Sequence, residues 1–235
     1  MIDFSIILPT RNNITGLIKL LDSFVNKAYD KECFEFLIAP DIDDPELYRI
    51  KEEVKGYPVR VYETHRTDNF NRDYFNWLAH KAKGKSIWVM NDDVEILTQD
   101  WDRIINEKIG EKEFYFIDVY DTTYNQGDQT FPRFPLIAKK CVDTIGFVFY
   151  PQLRTYPADK VIYELYKMVD LIVPCHEVEL LHKWIPQDDI SKEKIFSIFI
   201  EDVENGVLPV NVYIQRYLLT KALKKDWHGE QYQLK

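Results

Sequence analysis

The chain has 235 residues and 46% hydrophobic content, enough for one large α/β domain to bury its core without disulfide or metal staples. Its formal net charge of −9, with acids and bases mixed along the chain, argues against a phosphate-backbone partner, because nucleic-acid affinity relies on clustered Lys and Arg. The three cysteines Cys33, Cys141 and Cys175 form no CxxC pair, which excludes a zinc or disulfide framework.

Phe4 to Leu8 is an apolar run ending at Pro9, which removes a ladder donor and is expected to stop a central strand. A helix follows, because Leu17, Ile18, Leu20, Leu21 and Phe24 recur at near-helical spacing, with Thr15 as its candidate cap. Phe34 to Ala39 reads as a second strand, running into Asp41, Asp43 and Asp44, and Pro45 opens a helix over residues 46–54. Val59 to Tyr62 is a third strand. A polar loop over residues 64–71 leads to a helix through Tyr74, Phe75, Leu78 and Ala82, ended by Gly84. Ile87 to Met90 is the next strand, and it meets Asn91, Asp92 and Asp93 with no residue between them.

Alternating strands and helices imply a mostly parallel sheet with helices on its faces. The strand ends at Asn12, Asp41 and Asp93 then share the edge where open α/β sheets bind ligands. Adjacent carboxylates repel unless a cation, a ligand or protonation relieves them, and oxygen donors of this kind suit Mg²⁺ or Mn²⁺. A solvated turn after a strand uses the same residue types.

These residues resemble the family 2 type of GT-A glycosyltransferase, non-processive, over residues 3–102. The resemblance is carried by Ser5 to Asn12, the Asp41-Ile-Asp-Asp44 cluster, Asn76 ahead of Ala82-Lys-Gly84, Asn91-Asp92-Asp93, and Asp100-Trp101-Asp102. It implies a Rossmann-like three-layer α/β sandwich with an antiparallel addition in the C-terminal half. It further implies one domain over residues 1–235, with a donor half (1–106) and an acceptor half (107–235). Pro9, Thr10, Arg11, Asn12, Asp41, Asp43, Asp44, Asn76, Asn91 and Asp92 are its expected nucleotide-sugar contacts. Asp93, in the place often written DxD, is the expected metal ligand. Chemistry points the same way: a diphosphate can approach carboxylates only through a cation such as Mn²⁺ or Mg²⁺, which also stabilises it as a leaving group.

In the second half, Phe114 to Tyr120 reads as a strand that could pair antiparallel, then a loop over residues 122–130 and a proline-broken strand over residues 131–138. A helical turn covers residues 141–145, and a helix with Ile162, Leu165, Tyr166 and Val169 on one face covers residues 161–169. Asp159, at its start, is either a helix N-cap or first-turn charge or the general base for an acceptor hydroxyl; the resembling family often has Glu-Asp where this chain has Ala158-Asp159. Beyond the strand at residues 171–173 stand His176 and His182, which strand alternation would turn to one side. His182 is either packed or a further metal ligand. Residues 185–194 read as a loop over the site, and residues 192–204 and 210–223 as helices. Gln215-Arg216-Tyr217 departs from the QxxRW of processive synthases, and no apolar run approaches the roughly 20 residues of a membrane span. A strand beginning within about four residues of the first leaves no room for a signal peptide. Trp101 and Tyr156 are the aromatic side chains beside expected acidic sites, against a background in which aromatics are core.

The expectation is a cytoplasmic transferase acting on a nucleotide-sugar, UDP-linked first, and on a carbohydrate acceptor, with oligomeric state open. A nucleotidyltransferase shares the layered plan but usually carries a Gly-rich loop after the first strand, absent here. A non-catalytic nucleotide- or sugar-binding protein is the other alternative.

Overall fold

The computed structural model describes residues 1–123, 131–155 and 157–183. The loop expected after Thr123, Tyr156, and the elements expected beyond Lys183 lie outside the described residues. Four parallel strands come first: β1 (Phe4–Thr10), β2 (Phe34–Pro40), β3 (Val59–Val61) and β4 (Ser86–Val89), in spatial order β3-β2-β1-β4. The sheet then continues through β7 (Leu136–Ala138), β6 (Phe116–Asp121), β8 (Ile172–His182) and β5 (Val94–Ile96). The pairs β4–β7, β7–β6 and β8–β5 are antiparallel, and β6–β8 is parallel. A parallel sheet with an antiparallel addition is therefore what the chain forms.

Pro9 does not end β1. It pairs with Ala39 and Thr10 with Pro40 on the β2 side, while pairing with β4 stops at Ile7 and Val89. The missing N–H of Pro9 falls on the side where the ladder has already closed, so nothing is lost.

The helices follow from apolar spacing. In α1 (Ile14–Lys27), Ile14, Leu17, Leu20, Leu21 and Phe24 are buried against the sheet. Its cap is Asn13 rather than Thr15: the Asn13 Oδ1 accepts the Gly16 N–H at 3.1 Å. Residue 15 is already inside the first turn, and its side chain is exposed. Next come α2 (Leu47–Glu53) and α3, the latter a π-helical turn over Asn71–Asn76 that continues as α-helix over Trp77–Ala79. They are followed by α4 (Trp101–Ile109), α5 (Lys139–Ile145) and α6 (Ala158–Lys167). Among the described residues no helix is long and apolar enough to cross a membrane.

One aromatic cluster lies under α1 and α4. Trp101 packs on Phe4, Phe24, Phe34 and Trp88 with ring centroids 5.2–5.6 Å apart. Its indole N–H donates to the Phe24 carbonyl at 3.1 Å, so Trp101 is core and does not reach the acidic edge. Asp102 is equally structural: its carboxylate accepts the Tyr29 and Asp30 N–H groups at 2.7 and 2.8 Å, closing the α1–β2 connection. All three cysteines are free and buried.

Candidate active site

The strand order reverses at β1: the chain moves outward through β2 and β3, then returns to place β4 on β1's other side. Loops leaving β1 and β4 therefore diverge, and a crevice opens at their carboxyl ends. A cavity of about 790 Å³ occupies it.

Nine of the residues singled out from the sequence line this cavity. Pro9, Thr10, Arg11 and Asn12 come from the end of β1, and Asp41 from the end of β2. Asn91, Asp92 and Asp93 follow β4, and Asp159 stands in the first turn of α6. Asp43 and Asp44 support the cavity from its edge. Asp43 is exposed and pairs with the Arg11 guanidinium at 2.6 Å, while Arg11 also reaches Asp41 at 3.0 Å. Asp44 is buried, accepting the Asn12 N–H at 3.0 Å and the Glu46 N–H at 2.8 Å. Asn12 sits at φ 51°, a left-handed conformation that Asn tolerates, and the Asp44 carboxylate holds it there. Arg11 keeps Asp43 below its ordinary carboxylate range.

Asp92 and Asp93 have different tasks. Both Asp92 oxygens are occupied, one by the Thr10 hydroxyl at 2.7 Å and the other by the Asn13 amide at 3.0 Å. Burial still pushes its carboxyl up to about 6, against those hydrogen bonds and with the help of Asp93. Asp93 Oδ1 is buried with no hydrogen-bond partner, and its Oδ2 lies 3.3 Å from His182 Nε2. Such an orphaned carboxylate oxygen is the donor a cation would find. Gly16 lets α1 approach this turn: a Cβ there would stand 2.4 Å from the Asp92 carbonyl oxygen.

His182 and His176 do not share a side. The β6–β8 register shifts between Val119 and Tyr120, skipping residues 176–178 of β8, and the bulge breaks the alternation. His176 faces solvent 3.3 Å from Asp118. His182 is buried between Asp93 and Asp121, with Asp121 Oδ2 3.8 Å from its Nδ1 and the Phe134 ring edge-on at 5.0 Å. Burial alone would lower the imidazole, but Asp121 and Asp93 outweigh it and raise it to about 9.

Asp159 is not the helix cap. Pro157 occupies that position, and the Asp159 carboxylate accepts the adjacent Lys160 N–H at 2.8 Å. Burial raises it to about 6. Asn76 does not line the cavity. Its side chain is spent on backbone, donating to the Phe149 carbonyl at 2.7 Å and accepting the Val148 and Phe149 N–H groups at 2.8 and 3.0 Å.

Sequence reading missed Tyr74, whose hydroxyl donates to Asp41, and the pair Asp121 and Arg133 behind His182. Asp121 was findable: it is one more carboxylate at a strand's carboxyl end, a residue beyond the expected end at Tyr120. Among the described residues no group of three or more His, Cys, Asp or Glu side chains is placed to hold a metal ion.

No protein-family model and no curated protein matches the sequence. Solved structures do resemble the chain. S. aureus TarS, residues 1–349, in complex with UDP-GlcNAc, superposes with a TM-score of 0.64 at 14% identity, covering 94% of this chain and 72% of that one. The mannosyltransferase PcManGT from Pyrobaculum calidifontis, in complex with GDP-Man and Mn²⁺, gives 0.62 at 12% identity, covering 92% and 69%. GalNAc-T7 with UDP, GalNAc and Mn²⁺ gives 0.59 at 14% identity, covering 77% and 44%. At these identities the likeness establishes architecture: this chain has the GT-A fold.

Proposed function

We propose that the chain is a glycosyltransferase that moves a sugar from a nucleotide-diphosphate donor, a UDP-sugar first, to an acceptor hydroxyl. The observation that carries this is the meeting of Asp92, Asp93 and Asp159 on the walls of one cavity at the switch point of a GT-A sheet. The neighbours' nucleotide ligands support the same reading. Thr10, Arg11 and Asn12 with Asp41 take the base and ribose, while Asp43 and Asp44 hold Arg11 and the Asn12 backbone in place.

The residues fit a cation that arrives with the donor. Mg²⁺-type sites commonly use one or two protein carboxylates and complete the shell with substrate phosphates and water. Asp93, with its orphaned Oδ1, would be the carboxylate that holds it, with His182 beside it as a neutral imidazole. When bound, Mn²⁺ or Mg²⁺ would neutralise the diphosphate and stabilise it as a leaving group. Asp92 holds Thr10 and Asn13 to this wall, and the Phe134 ring packs edge-on against His182. Asp159 takes the proton of the acceptor hydroxyl as the hydroxyl attacks the oxocarbenium-like anomeric carbon. A base that titrates at about 6 is ionised at neutral pH and loses its function as pH falls through that value.

Thermal unfolding with UDP or GDP, each with and without Mn²⁺, tests the reading. A ligand present at about 100 times its Kd stabilises the native state by roughly 2.7 kcal/mol. UDP is expected to raise the midpoint only with Mn²⁺, and Asp93→Ala to abolish the shift. Asp159→Asn should keep the shift and lose about 10²–10⁴-fold in UDP release from a UDP-sugar with acceptor. No shift with any nucleotide at millimolar concentration would overturn the donor site. Nucleotide binding without turnover of any nucleotide-sugar would leave a binding protein instead.

A further inference from the structure

The helical stretch α3 has two working faces. Asn71, Tyr74 and Phe75 line the cavity just described, whereas Arg72, Asp73, Asn76 and Trp77 line a second, open groove of about 660 Å³. The groove's far wall is Phe147 and Pro151, from the segment whose Phe149 lines the first cavity. Asn76 therefore pins, through three backbone hydrogen bonds, the strip of chain that separates the two. Arg66 and Thr67 line both.

The two differ in charge. The first cavity is lined by five aspartates and three arginines, so an anion enters it only with a cation. The groove is lined by two arginines against one aspartate, Asp73, which is tied to Arg72 at 2.7 Å and to the Thr67 hydroxyl at 2.6 Å, so Arg66 is its excess cation, with His65 and His80 as further polar groups. In a chain of net charge −9 this is a place where an anion needs no counter-ion. Its floor is aromatic. The Trp77 ring carries Lys81 Nζ 5.1 Å from its centroid and abuts Tyr62 at 5.8 Å, and Phe147 stands on the opposite wall. Aromatic platforms with planar polar groups around them suit a sugar ring: the apolar ring face stacks while its hydroxyls and acid groups meet guanidinium and imidazole.

We propose that this groove binds an acidic saccharide, one bearing carboxylate or phosphate groups. Its place in the reaction is to hold the part of the acceptor remote from the attacking hydroxyl, a role that rests on the transferase reading. Binding in the groove does not, so the two can fail separately.

The test follows the indole N–H resonance of Trp77, assigned with Trp77→Phe, by NMR. The full chain is titrated with trigalacturonate, a hexose phosphate, maltotriose or inorganic phosphate. The expected result is a saturable shift with an acidic saccharide, at least about tenfold weaker with maltotriose or phosphate alone. The double variant Arg72→Glu/His80→Glu changes two exposed groove residues that have no part in the donor cavity. It should weaken that binding by about tenfold or more and leave the UDP–Mn²⁺ thermal shift as in the parent chain. Equal affinity for maltotriose would overturn the acidic assignment. No response to either acidic saccharide at about 10 mM, or a response that the double variant leaves intact, would overturn the site.

Discussion

Replacing Asn76 by alanine should cost the protein more stability than almost any other polar substitution in its described residues. The Asn76 side chain is 6% exposed, and it satisfies two N–H groups and one carbonyl of Val148 and Phe149, themselves 0% and 4% exposed. Alanine would leave three buried backbone groups without partners, at about 1–3 kcal/mol each, with local relaxation and entering water returning part of that. A net loss of about 3–5 kcal/mol follows, a large share of the roughly 5–15 kcal/mol that holds a domain of ordinary stability. Equilibrium urea unfolding reads it directly as a fall in midpoint of about 1 M or more at unchanged slope. The alternative that the sequence motif implies, a nucleotide contact, predicts the opposite pattern: an unchanged midpoint and weakened UDP binding. A loss below about 1 kcal/mol would refute the clamp.

Gly16→Ala places a methyl 2.4 Å from the Asp92 carbonyl oxygen and 2.4 Å from Asn13 Nδ2. The helix-propensity gain of about 1 kcal/mol should be overridden by crowding worth about 1–3 kcal/mol, with a smaller UDP–Mn²⁺ shift; a more stable variant would refute that close approach. His182→Gln tests the Asp93–His182–Asp121 arrangement through pH. Because the folded imidazole titrates at about 9, above its ordinary 6.5, its contribution is complete below 6.5 and is lost as pH rises through 9. The stability deficit of the variant should therefore be largest below pH 6.5 and shrink toward pH 9; a deficit independent of pH would mean that packing alone holds the ring.

How much of this was legible depended on whether a feature is local. The strands β1, β2 and β4 announce themselves as apolar runs that stop in polar residues, and the cavity is built from those stops. Asp41, Asp92 and Asp93 were found because adjacent carboxylates after a strand are visible in one dimension. Asn76 lies in a matching motif, yet its partners are more than seventy residues away, so its clamping role had no sequence signature. Trp101 sits between two aspartates in sequence but is turned inward by helical geometry. The β8 bulge sends His176 to solvent and His182 inward, and no period-2 count anticipates three residues left out of a ladder. The π-helical turn of α3 likewise has no signature in the apolar spacing, which reads as an ordinary helix.

The far end of the sheet has a consequence for biosynthesis. Among the described residues Val94–Ile96 pairs only with Leu180–His182, and β4 finds its outer neighbour at Leu136–Ala138. Residues 86–96 are thus synthesised well before either partner leaves the ribosome, and at about 5–20 residues per second the wait for residue 182 lasts seconds. β4 keeps a bare outer edge until residue 138 emerges, and β5 until residue 182 does, beside an acidic crevice with one wall missing. On the proposed reading, donor binding draws on Asp93 and His182 and would begin only after β8 has docked on β5. The stretch from Ser86 to Ile96 is therefore the part of the sheet that a partner covering bare edges would protect while residues 136–182 are still to come.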